Sequence, residues 1–157
     1  MDSEENFPNI KESEVYNLYE DEGEEELDER LGMITPMLIK DPEKNPLYHR
    51  ICRVEKEIQD TGDLEACISK TEQRLQMEHG HIIEILDYCY HPLDEDQSIF
   101  YFAGFYEMTE TDLGKEIEYR RKQGNKFTDL EIYHIIKEII SALSYLQKNN
   151  LIHGDLR

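Results

Sequence analysis

The stretch LIHGDLR at residues 151–157 sets a His, an Asp and an Arg close together behind an apolar pair. Imidazole and carboxylate are the groups that most often move protons in catalysis, so His153 and Asp155 are the first residues to weigh. An H-x-D triplet alone occurs by chance in many proteins, and the elements that lead into it must decide its meaning. The other reactive groups are scattered. Cys52, Cys67 and Cys89 are odd in number and form no CxxC pair, which fits buried thiols in a reducing compartment rather than a disulfide frame or a zinc site. His79 and His81 stand in H-x-H spacing, but no third metal ligand is evident near them.

The triplet is approached through the strongest periodic segment in the chain. TDLEIYHIIKEIISALSYLQKNN opens with Thr128 and Glu131 in capping-box spacing, and Ile132, Ile135, Ile136, Ile139, Leu143 and Leu146 hold one helical face. Before it, TDLGKEIEYRRKQG reads as a helix with a Thr/Asp cap, ended by Gly124. Further upstream, HIIEILDYCY and SIFYFAGFYEM read as strands joined by a polar turn. DLEACISKTEQRLQME reads as a helix with Asp63 as its N-cap. MITPMLI and LYHRICRV, joined by DPEKNP, read as a hairpin.

Charge is unevenly placed. The formal net charge is −19 over 157 residues, and residues 1–30 hold 13 Asp and Glu against Lys11 and Arg30. The run EDEGEEELDE repels itself, so residues 1–30 are expected to form an acidic, disordered arm. An acidic surface repels phosphate backbones and anionic lipid, which argues against nucleic-acid and membrane binding. No signal-peptide pattern or bilayer-length apolar run is present, so a cytoplasmic or other reducing intracellular location is expected.

A long amphipathic helix ending ALSYLQKNN, followed by an apolar pair and H-G-D-L-R, resembles the run into the catalytic loop of protein kinases, whose signature is H-R-D-L-x-x-x-N. YEMTETDL is similar to the hinge of that family, with a likeness to the mitogen-activated group, and HGHIIEIL is similar to the H-P-N-I-V stretch after its regulatory helix. The resemblance covers roughly residues 31–157. It implies an α+β fold: a kinase-like small lobe (an antiparallel sheet plus one helix) over 31–109, then the first helices of a truncated helical large lobe over 110–157.

It also implies roles. Asp155 matches the base that accepts the substrate hydroxyl proton, and Arg157 falls where many kinases keep a cation near the transferred phosphate. Glu107 and Thr109 match hinge positions whose backbone meets adenine, Tyr106 takes the gatekeeper place, and Asp112 matches the acidic residue that reaches the ribose. Gly32 begins the segment aligned with the Gly-rich loop, where Ile34 and Met37 stand for the next two glycines and obstruct a phosphate cradle. Arg53 takes the place of the strand Lys if Ile51-Cys52-Arg53 is the A-x-K segment, while Lys56 would point to the other face of a regular strand. The helix partner of that cation falls on Lys70 by the usual interval, or on Glu72 with a deletion. Gly154 replaces the Arg that binds a phosphorylated activation segment.

The activity implied is transfer of the ATP γ-phosphoryl group to a protein Ser or Thr, with ATP and Mg as cofactors and a protein as substrate. The family's metal ligands would fall beyond residue 157, so the chain alone is expected to be inactive and to self-associate through its exposed helix. The alternatives are a pseudokinase-type protein-binding module and, because H-G-D also heads the catalytic loop of aminoglycoside-type kinases, a small-molecule phosphotransferase.

Overall fold

The computed structural model describes residues 10–44, 48–154 and 156. The chain forms α1 (Glu14–Leu18), β1 (Tyr19–Asp21), β2 (Glu26–Asp28), β3 (Gly32–Ile39), β4 (Arg50–Ile58), α2 (Thr61–Leu75), β5 (Ile85–Pro92), β6 (Phe100–Glu107), α3 (Leu113–Gln123) and α4 (Asp129–Lys148). The described residues divide into two compact units. One holds everything up to Met77 together with Glu84–Met108, and the other holds Glu78–Ile83 and the residues from Thr109 onward.

The first unit is an antiparallel sheet in the order β1-β3-β4-β6-β5, with β2 also pairing β3. Side chains alternate across a strand, so each strand feeds two faces. On one face α2 covers Ile58, Tyr88, Tyr90, Phe100 and Phe102 through Leu64, with Cys67, Ile68 and Leu75 packed alongside. On the reverse face Met37, Ile39, Ile51 and Phe105 pack with Tyr19, and Val15 and Leu18 of α1 close over them. The sheet therefore carries an apolar core on each face. The α2 cap is Asp60, which accepts from the Asp63 backbone N–H, in place of the Asp63 cap expected from sequence.

The acidic arm expected over residues 1–30 is the main correction. Residues 1–9 lie outside the described residues, but from Ile10 onward the segment is built into the sheet. Lys11 exchanges backbone hydrogen bonds with Tyr90 at 2.9 and 3.1 Å, and β1 sets Tyr19 opposite Ile39. The physical reason is that Val15, Leu18 and Tyr19 precede the charge run and bury their apolar surface, while the acids that follow find cations: Glu22 meets Arg50 at 2.7 Å and Asp21 meets Arg53 at 2.8 Å. Averaging charge over thirty residues hid both.

A second correction concerns the segment aligned with the Gly-rich loop. Met33 through Leu38 pair residue by residue with β4, from Met33 opposite Glu55 to Leu38 opposite Arg50, so 33–38 is strand and not loop. The tight reversal lies just before it, between Asp28 of β2 and Gly32 of β3, which are themselves register partners. Gly32 is required there. Its φ is +106°, and a Cβ would sit 2.1 Å from the Glu55 carbonyl oxygen.

In the second unit, Asp112 caps α3 by accepting from the Lys115 N–H at 2.7 Å, and Gly124 closes it in the left-handed conformation. Thr128 and Glu131 form the expected capping box of α4. Arg120 ties the two helices, reaching Glu116 at 2.6 Å and Glu131 at 2.9 Å. The Thr128 backbone N–H, Arg120 and the Thr128 hydroxyl pull the Glu131 carboxyl down to about 2. Segment 78–83 is held against α4, where the Tyr145 hydroxyl accepts from the Glu78 N–H at 3.1 Å and His79 Nε2 lies 3.2 Å from Ser141 Oγ. The His79 ring packs on Tyr145 with centroids 5.0 Å apart, so this histidine serves packing. Of the apolar stripe read on α4, only Leu146 is buried, while Ile136 and Ile139 are exposed.

Two outcomes follow from these contacts. Gly32→Ala is expected to cost ~2 kcal/mol or more in denaturant unfolding, because it adds backbone strain to a close contact; an unchanged midpoint would remove the constraint assigned to this residue. The N-terminal segment is fastened by Asp87, which accepts from Lys11 Nζ at 2.8 Å and from the Ser13 hydroxyl at 2.5 Å. Burial alone would raise this carboxyl, but those two hydrogen bonds, the Tyr88 backbone N–H and the Lys11 charge outweigh it and hold the pKa below 3.8. Its contribution is thus complete above the ordinary value and is lost as pH falls through the lower folded value. Below about pH 4 the Tyr90 amide should lose hydrogen-exchange protection before the central strands do. Equal protection of both in acid would count against the fastening.

Candidate functional site

β4 is the central strand, and its alternation decides which cations face α2. Ile51, Arg53 and Glu55 belong to the reverse face, where Ile51 enters the core with Phe105. Cys52, Val54, Lys56 and Ile58 take the α2 face, where Ile58 joins the α2 core and the Lys56 ammonium stands 5.5 Å from the Phe102 ring centroid. Arg53 and Lys56 therefore lie on opposite sides of the sheet, as their odd spacing requires.

Arg53 is 5% exposed. Its two terminal nitrogens meet both oxygens of Asp21, at 2.8 and 3.2 Å, in a bidentate pair. Its Nε lies 3.1 Å from Glu55 Oε1 without the alignment of a hydrogen bond, and its guanidinium carbon stands 5.6 Å from the Tyr16 ring centroid. Glu55 in turn accepts from the Tyr101 hydroxyl. Burial and that hydrogen bond raise the Tyr101 pKa far above its usual value. Arg53 is thus consumed in joining β4 to β1 and to the N-terminal segment.

The α2 face presents a different set. A cavity of about 500 Å³ opens between β4, α2 and the end of β6, lined by Lys56, Cys67, Lys70, Thr71, Arg74 and Tyr106 among others. Tyr106 lies flat because its neighbour in the strand is Gly104, where a Cβ would meet the Tyr106 ring at 2.7 Å. Arg74 stacks over that ring, 5.0 Å from its centroid. Burial raises the Tyr106 pKa, with Arg74 opposing. Of the two helix residues left open as partners of the strand cation, Lys70 lines this cavity. Glu72 instead accepts from the Tyr88 hydroxyl at 3.0 Å. Gly104 and Arg74 carried no motif and were missed; the F-A-G-F-Y run, a glycine two before an aromatic in a strand, was the available signal.

At the turn between β2 and β3, Asp28 Oδ1 accepts from the backbone N–H of Arg30 at 2.8 Å and of Leu31 at 2.9 Å. The Leu31 and Arg30 N–H groups hold its carboxyl below the usual range. Glu107, at the end of β6, pairs opposite Ile51 and donates its backbone N–H to the Glu84 carbonyl at 3.0 Å. Thr109 is exposed just beyond, in the second unit, where Asp112 caps α3. Asp155 and Arg157 lie outside the described residues.

Asp21→Ala would remove the bidentate partner of the buried Arg53 guanidinium and leave Glu55 as its neighbouring carboxylate. A fully buried pair broken this way costs about 3–5 kcal/mol, but the Asp21 side chain is 50% exposed, so a loss of about 2 kcal/mol is expected in chemical unfolding. A change within about 0.5 kcal/mol would show that the pair does not anchor β1.

The family model described as protein tyrosine and serine/threonine kinase matches residues 30–157. A probable cyclin-dependent kinase 8 of Dictyostelium discoideum is 30% identical over 82 residues, covering 52% of this chain and 20% of that protein. The probable serine/threonine-protein kinase nek1 of the same organism is 28% identical over 85 residues, covering 52% and 17%. Calcium-dependent protein kinase 4 of Plasmodium falciparum (isolate 3D7) is 26% identical over 102 residues, covering 65% and 17%. The chain spans about a fifth of the length of these relatives or less. A curled antiparallel sheet with one packed helix, the start of a helical unit and a match over most of the sequence lead to one conclusion: this chain belongs to the protein tyrosine and serine/threonine kinase family.

Proposed function

We propose that this protein is a kinase-family domain whose small lobe serves as a protein-binding module and not as a phosphoryl-transfer site. The observation that carries this reading is the placement of Arg53. The family uses a strand cation to hold ATP phosphates and to pair with a helix carboxylate. Here the cation that matched by sequence is buried on the reverse face against Asp21, and the α2-facing residues of that stretch are Cys52 and Val54.

The turn between β2 and β3 supports the same reading. A phosphate cradle needs free backbone N–H groups, and two of those present are occupied by the Asp28 carboxylate beside Glu29. Another anion would meet like charge there. The residues present in this unit therefore do not fit ATP in the family's manner, and no step of phosphoryl transfer is derived from them. A protein partner is the natural occupant of the surfaces that remain.

A Ser/Thr kinase reading is favoured by one feature, the intact H-x-D-L order at His153–Leu156, together with the Ser/Thr kinases among the relatives. In that reading Asp155 takes the hydroxyl proton, Arg157 stands near the transferred phosphate, and Gly32, Glu107, Thr109 and Asp112 contribute to nucleotide binding. Thermal denaturation with Mg-ATP separates the two. The binding-module reading expects a melting temperature within about 1 °C of the unliganded value at millimolar nucleotide, since tight binding adds a few kcal/mol. A rise of several degrees that requires magnesium overturns it.

A further inference from the structure

Among the described residues, cations from both the sheet and a helix line the α2-facing cavity. Lys56 enters it from β4, and Lys70 and Arg74 enter from α2. Positions four apart on a helix share a face, so Lys70 and Arg74 are stacked along one side of the cavity while Lys56 comes from the sheet. Among the described residues neither the Lys56 nor the Lys70 ammonium is held in an ion pair. Arg74 is oriented by its stack on Tyr106. Glu57 and Asp63 also reach the lining, so the cavity carries three cations against two carboxylates in a chain of net charge −19.

Like charges brought together on rigid elements repel one another unless an anion offsets them. The three donors differ in a useful way: two are compact ammonium groups on flexible stems and one is a planar guanidinium. A tetrahedral dianion with several acceptor oxygens suits that set better than a single carboxylate does. The Thr71 hydroxyl, by contrast, is already bonded to the Cys67 carbonyl at 2.8 Å.

We propose that this cavity binds a phosphate group, held by Lys56, Lys70 and Arg74 without a metal ion. The proposal rests on the binding-module reading, because Lys70 stands where a carboxylate partner for a nucleotide-binding cation would be needed. The phosphate comes either from a phosphorylated side chain of a protein partner or from free phosphate in solution.

The test is isothermal titration of the whole chain, at low salt and with chelator present, against inorganic phosphate, a phosphoserine peptide and the same peptide unphosphorylated. Binding of phosphate or of the phosphoserine peptide is expected, weakening at least about tenfold in Lys70→Glu and in Lys56→Ala and falling as salt rises. Preference for the phosphopeptide over inorganic phosphate assigns the partner side chain as the source, and the reverse assigns free phosphate. Both variants alter exposed side chains, and circular dichroism checks their folding. The proposal is overturned if neither phosphate probe binds, if both peptides bind equally, or if Lys70→Glu binds phosphate as the parent does. Magnesium-dependent binding of ATP in a parallel arm would instead overturn the binding-module reading, so the two failures are distinguishable.

Discussion

The two-residue alternation of β4 is the constraint on which this molecule turns. A central strand with an apolar core on each face must supply side chains to both, and β4 sends Ile51 to one and Ile58 to the other. Once Ile51 is committed to the reverse core, Arg53 must follow it, and a guanidinium that deep has to be matched. Asp21 matches it, which explains why an acidic N-terminal segment can fold at all. The charge that looks destabilising in the sequence is partly the counter-charge of a buried arginine.

The same parity shapes the opposite face. Removing Arg53 from it leaves Lys56 as the strand's cation there, further along the strand, and α2 adds Lys70 and Arg74 to the same cavity beside Asp63. An arrangement with a strand lysine and a helix glutamate is internally neutral and closes on itself. An arrangement with an excess of cations leaves positive charge that the proposed phosphate offsets. The difference between a self-paired site and a receptive one comes down to the sign of one helix residue.

Much of the scaffold was legible in the sequence because it rests on local patterns. The capping box of α4, the Asp112 cap and Gly124 stop of α3, and the strands on either side of HPLDEDQ all depend on residues a few positions apart. What was not legible depends on partners distant along the chain. The fate of residues 10–28 is set by Asp87, Tyr90, Arg50 and Arg53, none of which a window over the acidic run includes. The turn at Asp28–Gly32 was displaced by a few residues because the glycine was matched to the start of a loop, whereas its backbone role is to let β3 approach Glu55. The opposite-face relation of Arg53 and Lys56 was readable from spacing alone; which face would be buried against an acid was not.

Segment 78–83 is interposed between α2 and β5 in the chain yet belongs with the helices, through Tyr145 and His79. The polypeptide thus passes from one unit to the other at Met77, returns at Glu84, and leaves again after Met108. Neither unit is a contiguous gene segment. A cut at residue 109 would free helices lacking the strand of chain that anchors α4, and the sheet would keep an orphaned loop. For anyone dividing this protein into expressible parts, the units are stitched three times, and a single boundary cannot separate them.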